Sequence, residues 1–428
     1  MLDLKVVRQD PDRARQGAIK KHFPDRAEAV DRLIAVDEEL RALIPRIDGL
    51  RSEQKQAGKS IGSLSEDERA AHFEAQKKLK LEIQELEQQE RTLKERLQQE
   101  LLLIPNIPDE GVPEGKDDLA NVEVRTWGER PAFDFEPKAH YELAEQHGWI
   151  DFERAADMAG SRNYMLFGEL AALHDAVLRL ALDHMIAKGF VQVEPPLLVR
   201  DSVMTGTGFF PGGEEQTYRC ERDELNLIGT AEVPVTSIHA GEILAESDLP
   251  KLYVARSVCF RREAGTYGKD TRGLYRVHQF QKVEQVVVDV ADEAKSRAHH
   301  EAIVENSEQV LQALELPYRV VNVCGGDLGV PQAFKYDIEC WMPSREAYGE
   351  THSASRFYDY QARRLNLRYR RADNKKTAHC HTLNNTVIAS PRILIPLLEI
   401  HQQADGSIRV PAALQPYLGG TNVLPRIR

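Results

Sequence analysis

The 428-residue sequence contains only five cysteines, Cys220, Cys259, Cys324, Cys340 and Cys380. A sparse and odd-numbered set builds no disulfide framework and suits a reducing cytoplasm. No stretch approaches the roughly eighteen apolar residues of a membrane-spanning helix. The opening residues, MLDLKVVRQDPDRARQ, carry a charge every few positions and do not read as a signal peptide. A positive excess is missing as well: 56 Lys and Arg face 68 Asp and Glu, a formal net charge of −12. The surface as a whole therefore does not attract polyanions, and a nucleic-acid partner would have to be held by a local basic patch. What is present is ordinary for a folded protein, with 42% hydrophobic and 29% charged residues. A chain of this length exceeds one ordinary core, so two domains are expected.

Glycine and proline almost vanish between Ala27 and Leu103, where Glu, Gln, Lys, Arg and Leu dominate. Leu33, Val36, Leu40, Leu43, Ile47 and Leu50 alternate spacings of three and four. Leu79, Ile83, Leu86, Leu93 and Leu97 repeat that seam, with Glu90 at the missing position. Two such stripes predict an antiparallel pair of helices packed as a coiled coil. Between them Gly58, Gly62 and several serines break the pattern, and Ser63 or Ser65 is placed to cap the second helix. Pro45 is expected to kink the first. A helix from Glu66 to Leu103 would be ~57 Å long, an arm rather than part of a compact core. Basic residues outnumber acidic ones from Arg41 to Lys80, while Glu82, Glu85, Glu87 and Glu90 make the base acidic. That distribution fits a solvated coiled-coil face and also binding to a phosphate backbone.

Pro105, Pro108 and Pro113 end the helical pattern. The reading is an N-terminal domain over 1–104 with the helical arm, a connector over 105–132 and a second domain over 133–428. In the second domain Leu170–Lys188 has helical spacing. Strand candidates fall at Phe190–Val193, Tyr253–Phe260, Val283–Val290 and Tyr318–Val323. They lack a βαβ rhythm, which predicts an α+β fold with a mainly antiparallel sheet flanked by helices.

The most informative stretch runs from Arg256 to Glu284 and reads as strand, charged loop, strand. Its loop places Gly265, Gly268 and Gly273 among Lys269, Arg272 and Arg276, a combination suited to polyphosphate. Phe260-Arg261-Arg262-Glu263 and Arg276-Val277-His278-Gln279-Phe280 bracket it. Upstream lies Thr230-Ala231-Glu232; downstream come Glu350-Thr351-His352-Ser353, Asp359 to Arg364, and His381 to Arg392. With these motifs in this order, and a matching tail over Gly406–Gly419, the whole chain resembles the seryl-tRNA synthetase family of class II aminoacyl-tRNA synthetases.

The resemblance implies an ATP-dependent ligase that forms seryl-adenylate and passes the seryl group to the 3′ end of tRNA(Ser), and of tRNA(Sec). It implies that Arg261 clamps the α-phosphate and the serine carboxylate, its planar fork making two charge-assisted bonds. Glu263 and the Val277 backbone would meet adenine, with Phe280 on its face. Arg392 would lie on the other side, near the γ-phosphate. Arg262, Thr351 and His352 belong to the same nucleotide-contacting set. Glu350 and Ser353 would hold Mg²⁺ between phosphates, since oxygen ligands suit a hard cation. L-Serine would be read by Thr230, Ala231, Glu232, Arg261, Glu284, Asn384 and Thr386. Many relatives have Asn-Gly-Ser where this chain has Asn384-Asn385-Thr386, so the hydroxyl is kept. Likewise Ser390-Pro391-Arg392 stands where Val-Gly-Arg is commoner; Pro391 can precede or open a helix, so the arginine is expected to stay in place.

The resemblance further implies a homodimer through Gly189–Pro196, no membrane partner, and a coiled-coil arm that grips the tRNA through residues such as Arg41, Arg46, Arg51, Lys55 and Lys59. His379, Cys380 and His381, with Cys340, invite a zinc reading, but their spacing fits no standard set and no structural zinc is expected. Two rivals remain: a paralogue charging another carrier, which should lack the arm, and a non-catalytic relative, which should have lost Arg261, Glu284 or Arg392. The chain keeps all of these.

Overall fold

The structure, a computed structural model, describes residues 1–60, 65–265 and 272–425. Two compact units divide the chain, Leu2–Ile107 and Pro108–Arg428.

In the first unit two short helices precede α1 (Pro24–Ser60) and α2 (Glu66–Leu103). Leu33, Val36, Leu40 and Ile47 of α1 and Ile83 and Leu86 of α2 are buried, as the seam requires. Arg32 pairs with Glu100 at 3.0 Å, Arg46 with Glu82 at 2.8 Å and Arg51 with Glu87 at 2.7 Å. From Arg32 to Arg46 along α1 the partner moves back along α2 from Glu100 to Glu82, so the helices run antiparallel. The Ser65 amide and hydroxyl donate to Glu68 Oε2 at 2.8 and 2.6 Å, half of a capping box that starts α2. Ser63, the other cap candidate, lies outside the described residues. Pro45 sits inside α1, which continues on both sides of it. Its ring is exposed, so the carbonyl four residues earlier, deprived of an amide partner, can face water.

The second unit is built on an eight-stranded sheet. Its strands are β1 (Val122–Trp127), β2 (Val191–Gln192), β3 (Lys251–Phe260), β4 (Gln279–Asp289), β5 (Tyr318–Asn322), β6 (Phe334–Met342), β7 (Ala347–Tyr358) and β8 (His381–Ser390). They lie in the order β1-β5-β6-β7-β8-β4-β3-β2, antiparallel throughout except where β2 runs parallel to β3. The helices that matter here are α3 (His140–Gln146), α4 (Gly168–Ala187), α5 (Glu293–Ala313) and α6 (Leu394–His401).

Alternation along β4 divides the two faces. Val283 and Val287 join a core with Leu178 and Met185 of α4, Ile303 and Leu311 of α5, and Ile395 and Leu398 of α6. Val286 and Val288 face the opposite way, against Ala255, Ala362, Leu365 and Tyr369. Lys282 and Glu284 share the parity of this second face. The expected connector over 105–132 is more than a link. Its Val-Glu-Val-Arg alternation forms edge strand β1, paired with β5. The proline-rich text before it hides that strand from a compositional reading.

Candidate active site

The segment joining β3 to β4 opens at Arg261, whose amide donates to the His278 carbonyl at 2.9 Å. The Arg261 Nε is anchored to the Gly229 carbonyl at 3.3 Å, and its guanidinium lies 5.1 Å from the Phe280 ring centroid. That anchoring leaves the fork's two Nη groups to meet an anion. Glu263 follows at φ 53°, a left-handed backbone that is costly for a non-glycine residue and typical of functional sites. Its carboxylate lies 3.4 Å from Arg276 at the loop's return end. Gly268 and Lys269 of this loop lie outside the described residues.

Two β-bulges shape the wall beside it. On β7, Glu350 pairs with Glu339 and His352 with Ile338, so Thr351 is the extra residue. In a regular strand residues three apart face opposite sides. The inserted residue restores the parity and lets Glu350 and Ser353 face one cavity. On β8, Ile388 pairs with Val283 and Thr386 with Glu284, leaving Val387 as the extra residue. These strands enclose a cavity of about 590 Å³, open to solvent. It is lined by Arg261, Glu263, Val277, Phe280, Glu350, Thr351, His352, Ser353, Thr386 and Arg392, all singled out by sequence. Tyr275 and Lys282 also line it and were not.

Arg392 is held from two sides. Its Nε donates to the Tyr275 carbonyl at 3.0 Å, its Nη1 to the Glu350 carbonyl at 2.9 Å, and its guanidinium stacks 4.4 Å from the Tyr275 ring. Helix α6 itself begins at Leu394, so Pro391 and Arg392 form the turn before it rather than its first residues. Arg262 is exposed and does not line the cavity; its amide donates to the Gln216 carbonyl at 3.0 Å.

Glu232, Glu284, Thr230, Ala231 and Asn384 do not line this cavity; Glu284 touches its wall through Lys282 and Thr386. Glu232 and Glu284 are buried, at 9% and 2% exposure, as are Thr230, Ala231, Asn384 and Thr386. Lys282 Nζ lies 2.5 Å from Glu284 Oε2, and the Thr386 hydroxyl donates to the same oxygen at 3.3 Å. The Gln361 side-chain amide donates to Glu232 Oε1 at 2.8 Å, and the Glu232 amide to the Thr230 hydroxyl at 3.2 Å. Burial, with the Glu284 charge adding to it, pushes the Glu232 carboxyl up to about 7 against the pull of Lys282. Burial raises Glu284 as well, opposed by Lys282. The Asn384 amide favours the Glu232 carboxylate, yet its Nδ2 makes no well-formed hydrogen bond. With both carboxyls ionised, two carboxylates and one ammonium leave this cluster one positive charge short of neutrality.

An oxygen donor set for a hard cation is present. The Glu350 side chain is 46% exposed, and Ser353 faces the same cavity. Opposite Ser353 across the ladder, Asp337 is buried with Oδ1 unpartnered. Among the described residues no group of three His, Cys, Asp or Glu is placed to hold a metal alone, so phosphate oxygens and water would complete the shell. Cys340 and Cys380 belong to separate cores on the two sides of the sheet. Among the described residues no helix is long and apolar enough to cross a membrane.

On the arm, Arg46 and Arg51 are tied to Glu82 and Glu87, and Arg41 lies 4.0 Å from Asp37. Lys55 and Lys59 are exposed nearer the tip.

Residues 1–108 match the seryl-tRNA synthetase N-terminal domain, and residues 218–401 the tRNA synthetase class II core domain (G, H, P, S and T). The chain is 48% identical to a serine–tRNA ligase of Deinococcus radiodurans, with 99% of both chains covered. Its structure is similar to seryl-tRNA synthetase from Pyrococcus horikoshii complexed with ATP, at a TM-score of 0.95 and 40% identity over 100% of both chains. It is also similar to the cytoplasmic serine–tRNA ligase of Naegleria fowleri in complex with AMP, at 0.89 and 30% identity over 100% of this chain and 99% of that one. Arm, class II sheet and motif arginines thus agree with full-length relatedness: the chain is a class II aminoacyl-tRNA synthetase of the seryl-tRNA synthetase family.

Proposed function

We propose that the chain activates L-serine with ATP and transfers the seryl group to the 3′-terminal adenosine of tRNA(Ser), and also of tRNA(Sec). A serine carboxylate oxygen attacks the α-phosphorus, the bond to the β-phosphate oxygen breaks, and pyrophosphate leaves. A hydroxyl of the terminal ribose then takes the acyl group and AMP is released. The observation that supports this reading is a cavity lined by Arg261, Arg392, Lys282 and Thr386, with the buried Glu284 carboxylate held against its wall by Lys282 and Thr386 and Glu232 close enough to feel that charge. Such chemistry depends on charge neutralisation and in-line positioning rather than on a protein nucleophile.

Arg261 meets the α-phosphate and the serine carboxylate with its Nη groups. Adenine lies against Phe280, near Glu263 and the Val277 backbone, with Arg392 on its other side; the Arg261 guanidinium must share or yield the Phe280 ring. Glu350 and Ser353, with phosphate oxygens, hold Mg²⁺, which supplies charge neutralisation when bound. In the pocket Lys282 balances Glu284, so the remaining charge of Glu232 matches the serine ammonium. Glu284 and Thr386 then take the hydroxyl. The protein acts as a cytoplasmic homodimer, with the arm of one subunit guiding tRNA to the site of the other. Serine-dependent ATP–pyrophosphate exchange, run with each amino acid in turn, tests the assignment; absence of exchange with serine rejects it.

Two outcomes follow from the pocket. With Glu232 titrating at about 7, its carboxylate is lost as pH falls below that value and the ammonium loses its partner. The KM for serine should therefore rise between pH 8 and pH 6, approaching about tenfold per unit on the acid side. A KM that stays flat across that range contradicts the role. Glu284→Ala removes the acceptor for the hydroxyl. The ratio of kcat/KM for serine over alanine should fall at least ~10-fold, because a site built to bond a hydroxyl rejects the analogue lacking it. Both rates come from the same preparation, so a reduced folded fraction cancels. An unchanged ratio removes Glu284 from the pocket.

A further inference from the structure

A buried polar cluster beside the cavity is used by none of the steps above. Its centre is Glu399 on α6, whose side chain is 0% exposed. Its Oε1 accepts the His140 amide at 3.0 Å, His140 Nδ1 at 2.7 Å and the Ser344 hydroxyl at 2.7 Å. Its Oε2 accepts the Ser344 amide at 2.9 Å. Burial works against a charge there, but the His140 ring and these amides hold the Glu399 carboxyl below its usual range. The other ring nitrogen, His140 Nε2, lies 3.2 Å from the Leu274 amide. An amide can only donate, so Nε2 is the acceptor and Nδ1 carries the proton given to Glu399. Gly273, at φ 74°, approaches so closely that a Cβ would lie 2.2 Å from Nε2.

The backbone held in this way is the return end of the loop that opens at Arg261. One residue further on, Tyr275 gives its carbonyl to Arg392 Nε, and its ring meets both Arg392 and Arg345, the latter at 4.2 Å. Arg345 follows Ser344, which Glu399 also holds. Three segments far apart in sequence thus converge on Gly273–Tyr275. We propose that Glu399 and His140 are positioning residues for the first step, fixing Leu274 so that Tyr275, Arg392 and the Val277 backbone stand ready for ATP. This rests on the serine-activation reading above. The serine pocket hangs on other segments (Thr230–Glu232, Gln361, Glu284 and Thr386), so the latch should act on ATP and not on serine.

Asparagine and glutamine at position 140 separate the two bonds. Asn can reproduce the Nδ1 donor to Glu399 but has nothing at Nε2, whereas Gln places an acceptor where Nε2 stands. In pyrophosphate exchange with the full-length protein, H140N should raise the KM for ATP about tenfold, the size of one lost buried hydrogen bond. The KM for serine should stay within about twofold, and H140Q should recover most of the ATP affinity. G273A, which reaches the same contact from the loop, should also raise the KM for ATP. Amides of 272–277 should exchange with deuterium faster in H140N and G273A than in H140Q or wild type. Unchanged ATP KM and unchanged amide exchange in H140N and G273A overturn the proposal, as does an equal rise in the KM values for ATP and serine. If wild type shows no serine-dependent exchange, the activity reading fails, and the deuterium result alone decides whether the latch exists.

Discussion

Arg261→Ala should lower serine-dependent pyrophosphate exchange by ~10³-fold or more while leaving tRNA binding near wild type. Charge builds on the α-phosphate as the serine oxygen attacks, and a preorganised donor removed from such a site typically costs 10²–10³ in rate, about 2.7–4 kcal/mol. Arg261 is assigned two anionic partners, so the loss should reach or exceed the top of that range. Lysine should not rescue, because a point charge cannot make the paired bonds of a planar fork. Stability should barely change: Arg261 is exposed, and among the described residues its side chain bonds the Gly229 carbonyl and lies against the Phe280 ring. A folded variant that keeps exchange within a few-fold of wild type contradicts the clamp.

Removing residues 27–103 should do the reverse, sparing serine activation and reducing tRNA charging by ~10²-fold or more. The arm's buried seam is formed within its own two helices, while the sheet and cavity belong to the unit that begins at Pro108. Exchange kinetics should therefore stay within about threefold of the full-length protein. The charging defect should sit mainly in the KM for tRNA, since the acceptor end loses its guide and not its chemistry. Salt dependence is a second readout: contacts from exposed cations such as Lys55 and Lys59 make charging by the intact chain fall with ionic strength, and the truncated chain should lose most of that slope. Equal charging by the two forms would show that the arm is not the tRNA grip.

The helical arm was legible because each element of its pattern is local. Leu33 to Leu50 and Leu79 to Leu97 name the seam, and α2 spans Glu66–Leu103 as read. The site motifs were legible because their residues travel in long strings, and ten of those residues line the cavity. What escaped depends on contacts across the chain or on strand parity. Lys282, a lysine in a strand, reads as solvent-facing until Glu284 and Thr386 close around it. Nothing near Thr351 or Val387 marks a bulge, yet those inserted residues decide which neighbours face the cavity. His140 and Glu399 lie 259 positions apart and meet only in the folded chain. Strand β1 was missed because the prolines before it suggest a link, although Val122 and Val124 alternate with polar residues as an edge strand should.

The most direct test of the account is a crystal structure with a non-hydrolysable seryl-adenylate analogue. The account predicts the purine against Phe280 with Arg392 opposite, the phosphate surrogate on the Arg261 fork, the ammonium at Glu232 and the seryl hydroxyl between Glu284 and Thr386. An analogue bound elsewhere, or one whose seryl group points away from Glu232 and Glu284, would contradict it.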